Sequence, residues 1–234
     1  MQLRRLSIVP VIMACGLLAA CGSDPAQVPP AETETAAEAV PEIPVMGPEK
    51  RIMAFGNSLF AGYNVAQEDS YPAKLEASLR AQGVNARVTN AGVSGDTTAA
   101  GLQRLSFLLD AQEEKPDLFI LELGGNDLLR GIQPDETRAN LEAMLTELQK
   151  REIPVLLMGM RAPPNFAQFQ SAFDTLYPDL AKKYEAELVP FFLESIYDKP
   201  ELIQPDRIHP TEEGIETLVG ATVSAVQQAL PEGE

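Results

Sequence analysis

From about residue 49 onward, short continuous apolar runs alternate with stretches of helical periodicity. Ile52-Met53-Ala54-Phe55-Gly56, Leu118 to Leu123, Val155 to Met158 and Leu188 to Phe192 are runs of strand length, and Arg87-Val88-Thr89-Asn90 is a weaker one. Runs without polar alternation indicate strands covered on both faces. Between them, Leu141, Met144, Leu145 and Leu148 follow the i, i+3, i+4, i+7 rule, with Pro134 suited to a first turn. Ile215, Leu218, Val219, Thr222 and Val226 repeat the rule in a last helix, which Pro210 is expected to open. Residues 71–81, 98–110 and Tyr177 to Ala186 are further helix candidates. Strand–helix alternation confines the fold to the α/β class, a three-layer α/β/α sandwich around a central parallel sheet of about five strands. Ligands of such sheets bind beyond the carboxyl ends of the strands.

The N-terminal segment obeys other rules. Arg4 and Arg5 precede an uncharged apolar run, Leu6 to Ala20. Charge and length mark residues 1–20 as a signal peptide, too short for a membrane span. The run ends in Leu18-Ala19-Ala20-Cys21-Gly22, which looks like a bacterial lipobox. Cys21 is then expected to be lipidated and to become the mature N-terminus; the alternative is ordinary cleavage near Ala20 and a soluble periplasmic protein. Residues 21–48, rich in Ala, Glu, Pro and Thr, lack apolar periodicity and read as a disordered tether. A domain over 49–231 and a tail at 232–234 complete the division. The expectation is an exported lipoprotein on the periplasmic face of the outer or inner membrane.

Charge and cysteine content narrow the function. The net charge is −16, and it becomes −18 once Arg4 and Arg5 leave with the leader. A chain so acidic is a poor nucleic-acid binder and is repelled by anionic headgroups, so membrane residence requires the lipid anchor. Cys15 leaves with the leader, so no intramolecular disulfide can form. With one histidine and no cysteine pair, no metal site is expected. No cofactor motif is present either.

That one histidine is His209, in Asp206-Arg207-Ile208-His209-Pro210. If the chain uses an imidazole base, His209 must supply it. Asp206, three residues earlier, can reach back to hold the ring in one tautomer.

Three further segments precede this one in order: Phe55-Gly56-Asn57-Ser58-Leu59-Phe60-Ala61-Gly62-Tyr63, Asn90-Ala91-Gly92-Val93-Ser94-Gly95-Asp96-Thr97-Thr98 and Leu123-Gly124-Gly125-Asn126-Asp127. Together the four resemble the blocks of the SGNH, or GDSL, hydrolases. Residues 124–134, Tyr177 to Ala181 and Val189 to Phe192 are closest to the bacterial multifunctional thioesterase I / lysophospholipase L1 / arylesterase group. The resemblance covers residues 51–230 and implies the SGNH hydrolase fold. It implies Ser58 as nucleophile, His209 as base and Asp206 as its orienting partner. It also implies an oxyanion hole made by the N–H groups of Ser58 and Gly92 and the side-chain amide of Asn126. The expected activity is hydrolysis of small-molecule or lipid carboxylic esters, and of thioesters, without metal or cofactor.

Position 57 departs from the family pattern, which has aspartate where this chain has Asn57. Since Asp206 is the triad acid, the mechanism survives; Asn57 is expected to brace neighbouring loops through hydrogen bonds. Glu122, Asp96 and Asp127 read as structural or loop-bracing residues, a substrate contact is the less favoured reading of Arg161, and Asn140 and Asn165 carry no signal. Leu128-Leu129, Pro163-Pro164-Asn165-Phe166 and Phe191-Phe192 suggest an apolar acyl groove. An α/β-hydrolase elbow is disfavoured, because Phe60 stands where its last glycine belongs. The alternatives are a carbohydrate O-acetylesterase and a non-catalytic ligand-binding lipoprotein on the same scaffold.

Overall fold

The structure, a computed structural model, describes residues 45–231. The leader, Cys21, nearly all of the 21–48 tether and the 232–234 tail lie outside the described residues.

Five strands form one sheet: β1 (Lys50–Gly56), β2 (Ala86–Gly92), β3 (Leu118–Glu122), β4 (Val155–Met158) and β5 (Glu187–Val189). Their order is β2-β1-β3-β4-β5 and every pairing is parallel. Among the described residues, seven α-helices connect or flank them: α1 (Ser58–Ala61), α2 (Tyr71–Ala81), α3 (Thr98–Asp110), α4 (Gly125–Leu129), α5 (Pro134–Lys150), α6 (Ala167–Tyr184) and α7 (Glu212–Ala229). Helix α2 packs on α7, α3 on α5, and α5 on α6, which gives the helical layers either side of the sheet. The expected three-layer α/β/α architecture is the one observed, in the flavodoxin-like order.

Three expectations need correction. The run Leu188 to Phe192 is a strand only as far as Val189. Pro190 has no N–H to extend the ladder, and Phe191 and Phe192 turn away into buried positions. The helix expected over Tyr177 to Ala186 begins ten residues earlier, at Ala167, and ends at Tyr184 with Pro178 inside it. Pro210 does not open α7: Thr211 caps it, its hydroxyl accepting the Gly214 N–H at 3.1 Å, and the helix starts at Glu212.

Register positions the site. Gly56 lies opposite Gly92 on one side and Glu122 on the other. The segments after β1, β2 and β3 therefore leave the sheet from one row, at the point where strand order reverses between β1 and β3. Behind the first of these turns, Phe60 stacks on Tyr71 at 5.0 Å, and Phe192 meets both rings edge-on at 5.7 and 5.0 Å. All three are fully buried, and each such side chain contributes roughly 1.5–3 kcal/mol. The turn carrying Ser58 thus rests on rigid aromatic packing rather than on a free loop.

Candidate active site

Asn57 follows β1 directly and caps α1. Its Oδ1 accepts the Leu59 N–H at 3.0 Å, so Ser58 opens a single helical turn at the sheet's carboxyl edge. The Ser58 Oγ lies 2.7 Å from His209 Nε2, across 151 residues of sequence. His209 Nδ1 lies 2.7 Å from Asp206 Oδ2. The other Asp206 oxygen accepts the N–H groups of Ile208 and His209, at 2.9 and 3.0 Å. Arg207, between them, takes the left-handed conformation at φ +62°. That strained residue lets the chain double back so that Asp206 faces the ring three positions later. Burial by itself would push the Asp206 carboxyl up. The hydrogen bonds from the His209 ring and from the two N–H groups outweigh it and hold the carboxyl below its ordinary value.

Asn126 begins the second residue of α4, and its Nδ2 donates to Asp96 O at 2.8 Å, leaving its second N–H uncommitted by that bond. The turn before it needs Gly124, at φ +114°, where an added Cβ would fall 2.2 Å from the Tyr177 hydroxyl. Tyr177 in turn donates to Leu123 O at 2.8 Å. Gly92 ends β2. Its N–H donates to Asn90 Oδ1 at 2.9 Å, while Asn90 Nδ2 donates to Phe60 O at 2.9 Å. An added Cβ at Gly92 would meet Ala61 N at 2.4 Å and Asn57 O at 2.9 Å. The glycine is required by its close approach to α1.

The remaining candidates sort by their contacts. Asp96 pairs with Arg104 at 2.7 Å, and Arg104 also donates to Gly56 O at 3.1 Å. Asp127, fully buried, accepts the Thr98 N–H at 2.9 Å, the Thr98 hydroxyl and the Thr137 hydroxyl. Both brace loops, as expected. Asn140 donates to the Thr98 hydroxyl. Glu122 is fully buried and accepts from Asn57 at two points. Burial pushes its carboxyl up to about 8, and the Asn57 N–H groups offset only part of that rise.

Ser58 and Asn126 open onto a cleft of about 230 Å³ walled by Leu128, Leu129, Met160, Phe191 and Ile208. A larger cavity of about 680 Å³ adjoins it and shares Met160, Arg161, Phe191 and Tyr197. Arg161 stands over the Phe191 ring at 5.2 Å and pairs with Glu194 at 3.8 Å. Of the expected acyl-groove residues, Leu128, Leu129, Pro163 and Phe191 line the cleft and Pro164 the larger cavity. Phe166 and Phe192 pack with the core and line neither cavity. Sequence reasoning gave no role to Tyr63, Asn90 or Gln204. The first two sit inside the quoted blocks, but nothing in residue type alone marks them.

Among the described residues, no cluster of three His, Cys, Asp or Glu side chains could hold a metal ion. No described helix is long and apolar enough to cross a membrane.

Fold and side-chain arrangement together define a carboxylic ester hydrolase of the SGNH type. The sequence model of the GDSL-like Lipase/Acylhydrolase family matches residues 54–216, and the chain belongs to that family. It is 39% identical over 165 residues to the arylesterase of Vibrio mimicus, a match covering 70% of this chain and 82% of that one. Over 160 residues it is 39% identical to thioesterase 1/protease 1/lysophospholipase L1 of Escherichia coli K12, covering 68% and 74%. Among solved structures it resembles AlinE4, an SGNH-hydrolase family esterase, at 63% identity and a TM-score of 0.68. That match covers 80% of this chain and all of the other.

Proposed function

We propose that this chain hydrolyses carboxylic esters through an acyl-enzyme on Ser58. The observation that carries the reading is the continuous row Ser58 Oγ, His209, Asp206, with 2.7 Å at each link. His209 Nε2 takes the hydroxyl proton as Oγ attacks the carbonyl carbon, and Asp206 keeps the opposite nitrogen protonated. The tetrahedral oxyanion is met by the Ser58 N–H, the free N–H of Asn126 and the Gly92 N–H, which Asn90 Oδ1 shares in the resting enzyme. His209 then gives the proton to the leaving alcohol. Water, activated by the same imidazole, releases the acid and restores Ser58. No step requires a metal or cofactor.

The apolar cleft beside Ser58 suits an acyl chain or aryl group, and the names of the relatives point to aryl esters, lysophospholipids and acyl thioesters. The N-terminal pattern supports export, lipidation at Cys21 and residence on the periplasmic face of a membrane, where lipid or xenobiotic esters are more accessible than acyl-CoA.

The test is a panel of p-nitrophenyl esters from acetyl to palmitoyl plus a lysophospholipid, run on wild type and Ser58→Ala, with fluorophosphonate labelling of both. Turnover and labelling that vanish together in Ser58→Ala are expected. Labelling that survives would refute the nucleophile, and exclusive cleavage of acetyl esters would replace the lipid-ester reading by a carbohydrate O-acetylesterase. Incorporation of labelled palmitate, lost in Cys21→Ser, tests the anchor.

A further inference from the structure

The imidazole of His209 has a partner on its face as well as at each nitrogen. The Tyr63 ring lies 4.3 Å from it, centroid to centroid, with 29° between the planes. Tyr63 is 43% exposed and is absent from the walls of the substrate cleft. A large aromatic left half in water, flat against the one histidine, is poorly explained by core packing.

Its placement is also specified by the backbone. The Tyr63 N–H donates to Ser58 O at 3.3 Å, which ties it to the nucleophile turn. Gln204 ties it to the histidine loop. The Gln204 side-chain amide donates to Tyr63 O at 2.9 Å and to Pro210 O at 2.8 Å, and its backbone N–H donates to His209 O at 2.7 Å. Asn64 Nδ2 closes the bracket on Gln204 Oε1 at 3.4 Å. One glutamine thus clamps the segments bearing the two rings.

We infer that Tyr63 is a positioning residue of the active site: its π face holds the His209 ring between Ser58 and Asp206 and favours the imidazolium formed as Ser58 is acylated. The physical cause is the attraction of a cation to the negative face of an aromatic ring. The inference rests on the reading of His209 as the base, and it assigns to Tyr63 a role exerted through that base, without contact to substrate.

The charged group in contact with the ring is Asp206; Arg207 lies on the same loop and, with Arg161, lines the cleft onto which Ser58 opens, and Glu212 and Glu213 begin α7 a few residues on. None of these changes in a Tyr63 variant. Because His209 is the only histidine, its ring C–H signal in a tag-free protein is unique, and proton NMR can follow its titration directly.

The experiment measures that titration, and kcat and KM against pH, in wild type, Tyr63→Phe, Tyr63→Trp and Tyr63→Leu. Tyr63→Leu is expected to lower the His209 midpoint. Its plateau kcat should fall roughly two- to fivefold with KM unchanged. Tyr63→Phe should match wild type in both readouts, and Tyr63→Trp should hold the midpoint or raise it. A Tyr63→Leu midpoint equal to wild type overturns the inference, as does a Phe or Trp variant that behaves like Leu. The titration needs no turnover, so a failure of the esterase reading would show as inactivity toward every ester with the NMR result still interpretable.

Discussion

Glu122 receives two hydrogen bonds from Asn57: the backbone N–H reaches Oε2 at 3.2 Å and the side-chain Nδ2 reaches Oε1 at 2.9 Å. The parallel register, which sets Gly56 opposite Glu122, creates this contact. Asn57 precedes Ser58, the proposed nucleophile, and its other side-chain atom caps the turn that Ser58 opens. A fully buried carboxyl is therefore wired to the backbone of the Ser58 turn through one amide. Here the family's usual aspartate would place a second carboxylate against the first.

Asn57→Asp turns a donor–acceptor contact into two acceptors, which a shared proton must reconcile. Losing that proton in alkaline solution should drive the carboxylates apart and displace Ser58. We expect Asn57→Asp to keep kcat/KM within about threefold of wild type at pH 6 and to lose about tenfold or more by pH 9. Rate profiles of both proteins between those limits check this. A constant ratio would show that position 57 is electrostatically silent, and a gain above about tenfold would mark Asn57 as a handicap.

Glu122 also makes stability depend on pH. Its folded value, about 8, lies above the ordinary 4.5, so between those values the native state holds a proton that the unfolded chain has released. Stability must then fall as pH rises through that window. Asp206 acts in the opposite sense: its folded value is lowered from 3.8, so its contribution is present at neutral pH and lost as pH falls below that region. Glu122→Gln removes the first effect only. Its Tm should decline less than that of wild type between pH 5 and 8.5, by at least about 3 °C, while the acid-side loss remains. Parallel thermal melts across pH would reveal it, and identical slopes would mean that folding does not raise the Glu122 carboxyl above its unfolded value.

What could be read from the sequence follows how evenly each element is buried. Strands β1, β3 and β4 are covered on both faces and show as apolar runs. The edge strand β2 mixes buried Ala86 and Ala91 with exposed Arg87, Thr89 and Asn90, so it gave only a weak signal. At the other edge β5 spans three residues, and Pro190 separates it from two phenylalanines that belong to the core and the cleft wall. Helix α6 extends ten residues upstream of the expected start at Tyr177, with Pro178 held inside it by the packing of Phe173, Leu176, Tyr177 and Leu180. For the site, residue type in ordered blocks pointed to Ser58, His209 and Asp206, whose side chains the fold brings together. The Asn57–Glu122 pair, the Asn90 contact to Gly92 and the Gln204 bracket depend on register and loop closure, which no single segment encodes.

Gly92→Ala separates a structural requirement from a chemical one. The new Cβ would meet backbone atoms of α1, with Ala61 N at 2.4 Å and Phe60 C at 2.8 Å. Backbone cannot rotate away as a side-chain tip can, so α1 and Ser58 must shift. Overpacking of this kind costs about 1–3 kcal/mol, which corresponds to a Tm loss of about 3–10 °C. Displacement of the nucleophile should lower kcat at least about tenfold. Calorimetry and steady-state kinetics on one preparation test both, and an unchanged Tm would show that the turn has slack.

Asn126→Ala addresses the anion-binding pocket itself. The amide holds Asp96 O at 2.8 Å with one N–H, which fixes its orientation and leaves the other for a developing negative charge. A donor aimed at the oxyanion acts more strongly on the transition state than on bound ester, so its loss should appear in kcat and hardly in KM. The expected fall in kcat is about 10²–10³, equivalent to roughly 2.7–4 kcal/mol. Loss of the Asp96 tether alone would loosen a surface turn and cost about 1 kcal/mol of stability. A variant whose Tm drops by only the few degrees that this lost bond accounts for, with kcat reduced at least a hundredfold, therefore assigns the amide to the oxyanion. A loss of Tm with kcat nearly intact would make Asn126 a loop brace, and the pocket would then depend on Ser58 and Gly92.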